Sequence, residues 1–380
     1  MSPLCSVWVD VGTPKTSKLL EKLEAAIRAE TRPAEEDRLK AQYVVHLARC
    51  GRLDEATAML ADLRQRHTGG NSPKTTPWIN YADALVDRAL GRGDSSLIKM
   101  RRAQATSAVA GLPDLQALSS AALAHIFWNR EDLSAAVREV NEAFRLSDPS
   151  AHETRCRANF VVGEIFAVSR REDLAQPWFA RGRQHAAEAG DDAFRSALMF
   201  NLAVCRLMMF RQATFDGEDA ANHRASACQY VEASKNMDDF LGIPVDDLTP
   251  ILQGRLHSLL GDPKLALLNY VGRVEDLNYI SAKRQSADWL SDEAWCHARL
   301  GDLVSARRVA AEAEANIADE TQMDDRAAVA SRLALVYSAL GEEDVAARHA
   351  AQAATLWAEY RKYQDRCVEL CLTISIDDDV

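Results

Sequence analysis

Apolar residues recur every three or four positions along most of the chain, the spacing that puts one buried stripe on an α-helix. Tyr43, Val44 and Leu47 form such a stripe, answered by Leu53, Ala56, Leu60 and Leu63. Near the other end, Val329, Ala330, Leu333, Ala334 and Tyr337 are answered by Ala346, Ala350, Ala353, Trp357 and Tyr360. A short turn signal parts the two stripes of each pair: Cys50-Gly51-Arg52-Leu53, Leu90-Gly91-Arg92-Gly93, Asn129-Arg130-Glu131-Asp132-Leu133, Arg170-Arg171-Glu172-Asp173-Leu174, Leu260-Gly261-Asp262-Pro263, Leu300-Gly301-Asp302-Leu303 and Leu340-Gly341-Glu342. The signals are spaced by about 40 residues, with one missing between positions 171 and 261, where Gly217 supplies the break. The pattern predicts eight helical hairpins, with an insertion in the fifth.

The joints have a physical reading. Glycine after leucine ends a helix because it tolerates the left-handed backbone needed there. Asp262 before Pro263, and Asp302, can cap the helix that begins directly after them. Longer breaks separate the hairpins: 68–77, 111–114, 148–150, 190–192, 242–250 and 318–325. Two alternating loop lengths imply stacked hairpins, each hiding its stripe only against its neighbours. A first helix over about 17–30 and a last over about 357–370 are expected to cap the stack. The predicted fold is an all-α, right-handed α-solenoid. Its divisions are residues 1–34 as an N-terminal segment and capping helix, 35–361 as the repeats with an insertion around 211–250, and 362–380 as a C-terminal cap and acidic tail.

Composition narrows the function. Lys and Arg number 45 against 56 Asp and Glu, a net charge of −11, which argues against nucleic acid as a partner. No run of 18 apolar residues is evident, and Met1 to Lys18 lacks a signal-peptide pattern, so the expected address is cytoplasmic with no membrane partner. The eight cysteines are scattered and read as buried thiols; only Cys367 and Cys371, at i and i+4, could share a metal.

The repeat resembles the tetratricopeptide repeat (TPR) superfamily. The residues that carry the resemblance are a small residue midway along the first helix, Leu-Gly at the joint, and alanines five and twelve positions beyond the glycine: Ala334, Leu340-Gly341, Ala346 and Ala353 in the eighth unit, Ala294, Leu300-Gly301, Ala306 and Ala313 in the seventh. The third unit has Ala124, Ala136 and Ala143 but Glu131 in place of the glycine. The long period is similar to that of MalT-like regulators, Rap-type peptide-responsive proteins and kinesin light chains. The resemblance implies a protein- or peptide-binding platform working through a concave groove, or else an effector-sensing regulator whose superhelix changes compactness.

Candidate chemistry is sparse. Gly12-Thr13-Pro14-Lys15-Thr16 lacks the glycines of a phosphate loop, and His152-Glu153 begins a zinc-protease helix that Cys156 fails to complete. The nine histidines show no paired metal spacing, and no serine sits in a nucleophile elbow, so neither an enzyme nor a cofactor is expected. Binding candidates are polar residues on first helices. Arg155 and Arg195, and Asn159 and Asn201, recur at close to the repeat spacing and could hold a peptide backbone or carboxylate; Arg255 and Trp295 extend the set. The alternative is that these residues are solvated or cap locally. The chaperone-binding carboxylate clamp of the family would need Lys and Asn where Phe160 and Glu164 stand. Trp78, Tyr81, Trp128 and Trp289 also fall on first helices, as groove or as core. The apolar stretch Met237 to Pro250 could cross the groove or fill a repeat mismatch, and the tail 374–380 could be a recognised C-terminus or a solvated end.

Overall fold

The computed structural model describes residues 18–69, 72–217, 220–241, 249–270, 286–317 and 322–374; Gly12 to Thr16, most of the 242–250 segment and the tail beyond residue 374 lie outside them. After a leading helix α1 (Lys18–Ala29), sixteen helices pair into eight hairpins among the described residues. They are α2 (Pro33–Arg49) with α3 (Leu53–Arg66), α4 (Thr76–Ala89) with α5 (Gly93–Val109), α6 (Pro113–Trp128) with α7 (Leu133–Leu146), and α8 (His152–Val168) with α9 (Glu172–Ala189). Then come α10 (Asp192–Asp216) with α11 (Ala221–Leu241), α12 (Thr249–Leu260) with α13 (Pro263–Tyr270), α14 (Ser286–Arg299) with α15 (Leu303–Asn316), and α16 (Met323–Ala339) with α17 (Glu343–Cys371). No strand occurs among the described residues. The fold is an all-α solenoid, and each turn signal falls between the helices of one hairpin.

The expected alanines lie where helices cross. Ala306 and Ala313 are fully buried, and Ala346 and Ala353 are nearly so. Ala334 and Ala350 depart from the predicted stripes: they line a cleft instead. The insertion expected in the fifth unit is largely extra helix, since α10 and α11 run 25 and 21 residues. By length and composition α10 could cross a membrane, contrary to the sequence expectation, but 83% of its apolar window is buried, as befits the central helix of a core.

The joints of the third and fourth units do without glycine. Glu131 and Arg170 adopt φ of 57° and 62°, the left-handed region that glycine occupies at Gly51, Gly91, Gly261, Gly301 and Gly341. A non-glycine residue there is strained by roughly 1–2 kcal/mol. For Glu131 an offset is visible: its carboxylate accepts a hydrogen bond of 3.1 Å from the backbone N–H of Met323, at the start of α16, 192 residues away. A carboxylate suits the positive end of a helix.

That bond belongs to a larger departure. No separate helix over 357–370 exists, and α17 runs unbroken for 29 residues across the expected boundary at 361. Its first half pairs with α16 and its second half returns to units three to five. Tyr363 stacks on Trp128 with ring centroids 6.3 Å apart, and Gln364 donates to the Val168 carbonyl at 2.5 Å and to Gln212 at 2.9 Å. Cys367 and Cys371 are buried in the same seam. The solenoid therefore closes on itself instead of ending in a free cap.

Packing at the crossings gives a direct check. Ala306→Leu should overpack the seventh hairpin and lower stability by roughly 1–3 kcal/mol, whereas Ala351→Leu on the exposed face of α17 should be almost neutral. Denaturant midpoints that fall equally in both variants, or in neither, would contradict this register.

Candidate functional site: charges buried along the inner helices

The first helix of each hairpin faces inward, and in the middle units it is enclosed on all sides. From Thr154 to Val168 every residue of α8 is buried, and α10 is nearly as enclosed. The facing second helices α7 and α9 each keep an exposed side. Charged groups on these inner helices must be paired, because removing an ion from water costs several kcal/mol.

The largest group centres on Arg211 of α10. One of its terminal nitrogens lies 3.1 and 3.2 Å from the two carboxylate oxygens of Asp288 on α14; the other donates to Asp324 at 2.7 Å and to Asp325 at 2.8 Å in the first turn of α16. Arg255 of α12 pairs with Asp288 as well. Arg332 of α16 donates to Asp292 at 2.7 Å, and Tyr270 donates to the other oxygen of Asp292 at 3.2 Å. These seven charged residues are all buried. Four aspartates face three arginines, so the set carries one uncompensated negative charge when fully ionised. Burial, reinforced by the neighbouring Asp325, raises the Asp324 carboxyl, while Arg211 opposes the shift. Burial also weakens the charged form of Arg211, but the attraction of Asp325 and Asp324 outweighs it and holds the guanidinium firmly charged.

Two smaller groups lie nearer the N-terminus. Arg49 of α2 reaches Asp191 at 2.6 Å and Glu153 at 3.5 Å, while Arg157 of α8 holds Glu153 at 2.8 Å. Both guanidiniums lie over the Phe194 ring, 5.4 and 5.8 Å from its centroid. Asp191 is also the N-cap of α10, accepting from the Phe194 N–H at 2.9 Å. In the third group, Arg88 of α4 meets the Nδ1 of His125 of α6 at 2.9 Å, and the other ring nitrogen, Nε2, lies 3.7 Å from Glu164 of α8. Burial pushes the Glu164 carboxyl up to about 8 against the pull of Arg88.

The residues anticipated as a polar ladder occupy several environments. Arg155 is buried and donates to the carbonyls of Asp148 and Ser147 at 3.0 and 3.2 Å, fastening the loop before α8. Asn159 is buried and donates to the Arg155 carbonyl at 2.7 Å, beside Gly182 at the α8–α9 crossing. Asn201 is fully buried in α10. Arg195 is half-exposed and pairs with Asp192 at 3.0 Å, one turn away. Only Arg255 and Trp295 converge: Arg255 joins the Arg211 group, and Trp295 packs under Arg332 at 5.8 Å. Phe160 and Glu164, at the clamp positions, are core. Tyr81, Trp128 and Trp289 are core too, and Trp78 is half-buried beneath Arg38. Burial raises both the Cys367 and Cys371 thiols, which sit as neutral groups in the seam.

Sequence reasoning missed Arg211 and its three aspartates. A signal existed: Arg211 directly follows the apolar run Leu207-Met208-Met209-Phe210, and a charge set against such a run must be paired or exposed. Beside the network, a cleft of about 610 Å³ opens between the end of α10, α16 and α17. Its floor includes Phe215 and Trp357, 6.3 Å apart, and its rim carries Asp216 paired with Arg361 at 2.9 Å.

Hairpin order and inward-facing first helices define a helical-repeat protein of TPR-like fold. A solved structure described as a Rap protein complexed with competence and sporulation factor has the same fold, with a TM-score of 0.56 at 10% sequence identity and 93% of each chain covered. No protein-family model and no curated protein matches the chain.

Two outcomes test the buried charges. Arg211→Met strands Asp324 and Asp325 and leaves Asp288 to Arg255 alone, and it should destabilise the chain by about 3–5 kcal/mol, whereas Asp324→Asn, which removes the surplus charge, should cost far less; chemical denaturation separates them. For Glu164, the folded pKa stands above the unfolded one, so its contribution is present in acid and lost as pH rises through about 8. Wild-type protein should therefore lose stability relative to Glu164→Gln between pH 5.5 and pH 8.5, on the order of a few kcal/mol; parallel curves would refute the assignment.

Proposed function

We propose that the chain is a peptide- or protein-binding regulator whose solenoid opens and closes in response to its partner. The observation that carries this reading is Arg211, one guanidinium shared by carboxylates of the seventh and eighth units. A seam of ion pairs between distant repeats is an element with two arrangements, and a ligand that favours one of them shifts the population. The residual negative charge of the seam and the adjoining cleft favour a partner that presents a cationic group beside an apolar side chain. The long repeat, similar in period to that of Rap-type peptide-responsive proteins, and the solved Rap complex of the same fold support a peptide as the effector class. This reading replaces a permanently open groove over Arg155, Asn159 and Asn201, because those side chains are buried. It includes no catalytic step, no cofactor, no nucleic acid or membrane partner, and a cytoplasmic address, each carried over from the sequence.

Small-angle scattering of the full chain tests the proposal. Arg211→Met, and separately Tyr363→Ala with Gln364→Ala at the other side of the seam, should give a larger radius of gyration than wild type with helix content preserved. Affinity capture on the tagged forms should then recover a partner in different yield from the closed and opened proteins. Unchanged dimensions in both variants, together with equal capture, would overturn the regulatory reading.

A further inference from the structure

Away from the buried seam, the open end of the fourth hairpin brings together three ligand-type side chains that lie 33 to 36 residues apart or on a single helix turn. His152 is the first residue of α8, and His185 and Glu188 lie three positions apart near the end of α9. Because the two helices run antiparallel, the start of one meets the end of the other. The His152 and His185 Nδ1 atoms face each other at 3.1 Å, the Glu188 Oε2 lies 2.9 Å from His152 Nδ1, and it lies 4.0 Å from His185 Nδ1.

The three separations of 3.1, 2.9 and 4.0 Å bracket the roughly 3.3 Å between neighbouring ligand atoms that bonds of about 2.0 Å give on a tetrahedral zinc ion, so small side-chain adjustments bring all three atoms onto one ion. The other carboxylate oxygen of Glu188 accepts from Gln184 at 3.2 Å, which steadies the group and leaves Oε2 turned to the histidines.

We propose that His152, His185 and Glu188 form a zinc site. Two neutral imidazoles and one carboxylate carry a single negative charge, suited to a divalent cation, and two nitrogens with one oxygen are a ligand set that zinc accepts readily. The last turn of α9 contributes its negative dipole end, and the carboxylate outweighs the opposing positive end of α8. Side-chain exposures of 32%, 17% and 41% leave the site open to solvent, so water completes the tetrahedron. The metal clasps the end of the hairpin opposite the strained Arg170 joint and fixes the chain just before Asp191, which caps α10 and holds Arg49.

The experiment uses the full chain, stripped with chelator and dialysed, and titrated with zinc chloride by calorimetry alongside thermal unfolding. Wild type should bind one zinc per chain and unfold at a higher temperature when loaded. His152→Ala with His185→Ala should lose this binding. Glu188→Gln, nearly isosteric and partly exposed, should weaken it roughly tenfold or more while circular dichroism without metal stays that of wild type. Cobalt in place of zinc should give the visible absorption of a four-coordinate ion in wild type and not in the double variant. Cys367→Ser with Cys371→Ser should bind as wild type does. No stoichiometric uptake by wild type, or equal affinity in wild type, the double histidine variant and Glu188→Gln, would overturn the site.

Discussion

One guanidinium, Arg211, ties together aspartates that the chain supplies 77, 113 and 114 residues later. In a solenoid each repeat ordinarily needs only its neighbours, and stability is a sum of local terms. Here the last unit also contacts the third, fourth and fifth. Much else in the structure answers to that closure: the complete enclosure of α8, the unbroken length of α17, the Tyr363–Trp128 stack, and the carboxylate of Glu131 at the start of α16. Once the inside of the superhelix is shut, every charge on an inner helix must find a partner there, which accounts for the three buried groups.

The repeat was legible because its causes are local. A leucine and a glycine at a joint, an aspartate that caps, and alanines at fixed offsets act within one hairpin, so Leu300-Gly301-Asp302 announces its turn without reference to the rest of the chain. Asp302 does accept from the Ser305 N–H at 3.1 Å, as its position predicts. Closure has no such signature. Nothing near Glu131 distinguishes a degenerate joint from one whose glycine has been exchanged for a residue with a distant partner. Nothing at Trp357 says that the helix continues in order to reach Val168.

The candidate site was less legible than the fold for a related reason. Recurrence at the repeat spacing finds residues in equivalent places on successive helices, but not whether those places face water. Arg155 and Arg195 share a register, yet one is buried and fastens the loop before α8 while the other lies half in solvent beside Asp192. Arg255 was singled out and does belong to the network, whereas Arg211 and Asp288 meet only through closure. His152 and His185 sit on opposite strokes of one hairpin, so a search for short spacings passes over them; the His185-x-x-Glu188 face of α9 was the trace left in the sequence.

The chemistry of the seam bears on its use. Well-packed apolar side chains in place of a buried ion network commonly hold a fold as firmly or more so, while removing one partner of such a network is strongly destabilising. Strength alone is therefore a poor reason for placing four aspartates and three arginines between the fifth and eighth units. Ions differ from apolar groups in how they fare once separated: parted by an opening of the superhelix, carboxylates and guanidiniums regain water, whereas an exposed apolar face of that size would seek other surfaces. On the regulatory reading proposed above, a charged seam is suited to closed and open states of similar free energy, between which a ligand with a charge of its own decides. The same reading takes the sign of that ligand charge from the surplus carboxylate, because a cationic group beside Asp324 and Asp325 would relieve the repulsion between them.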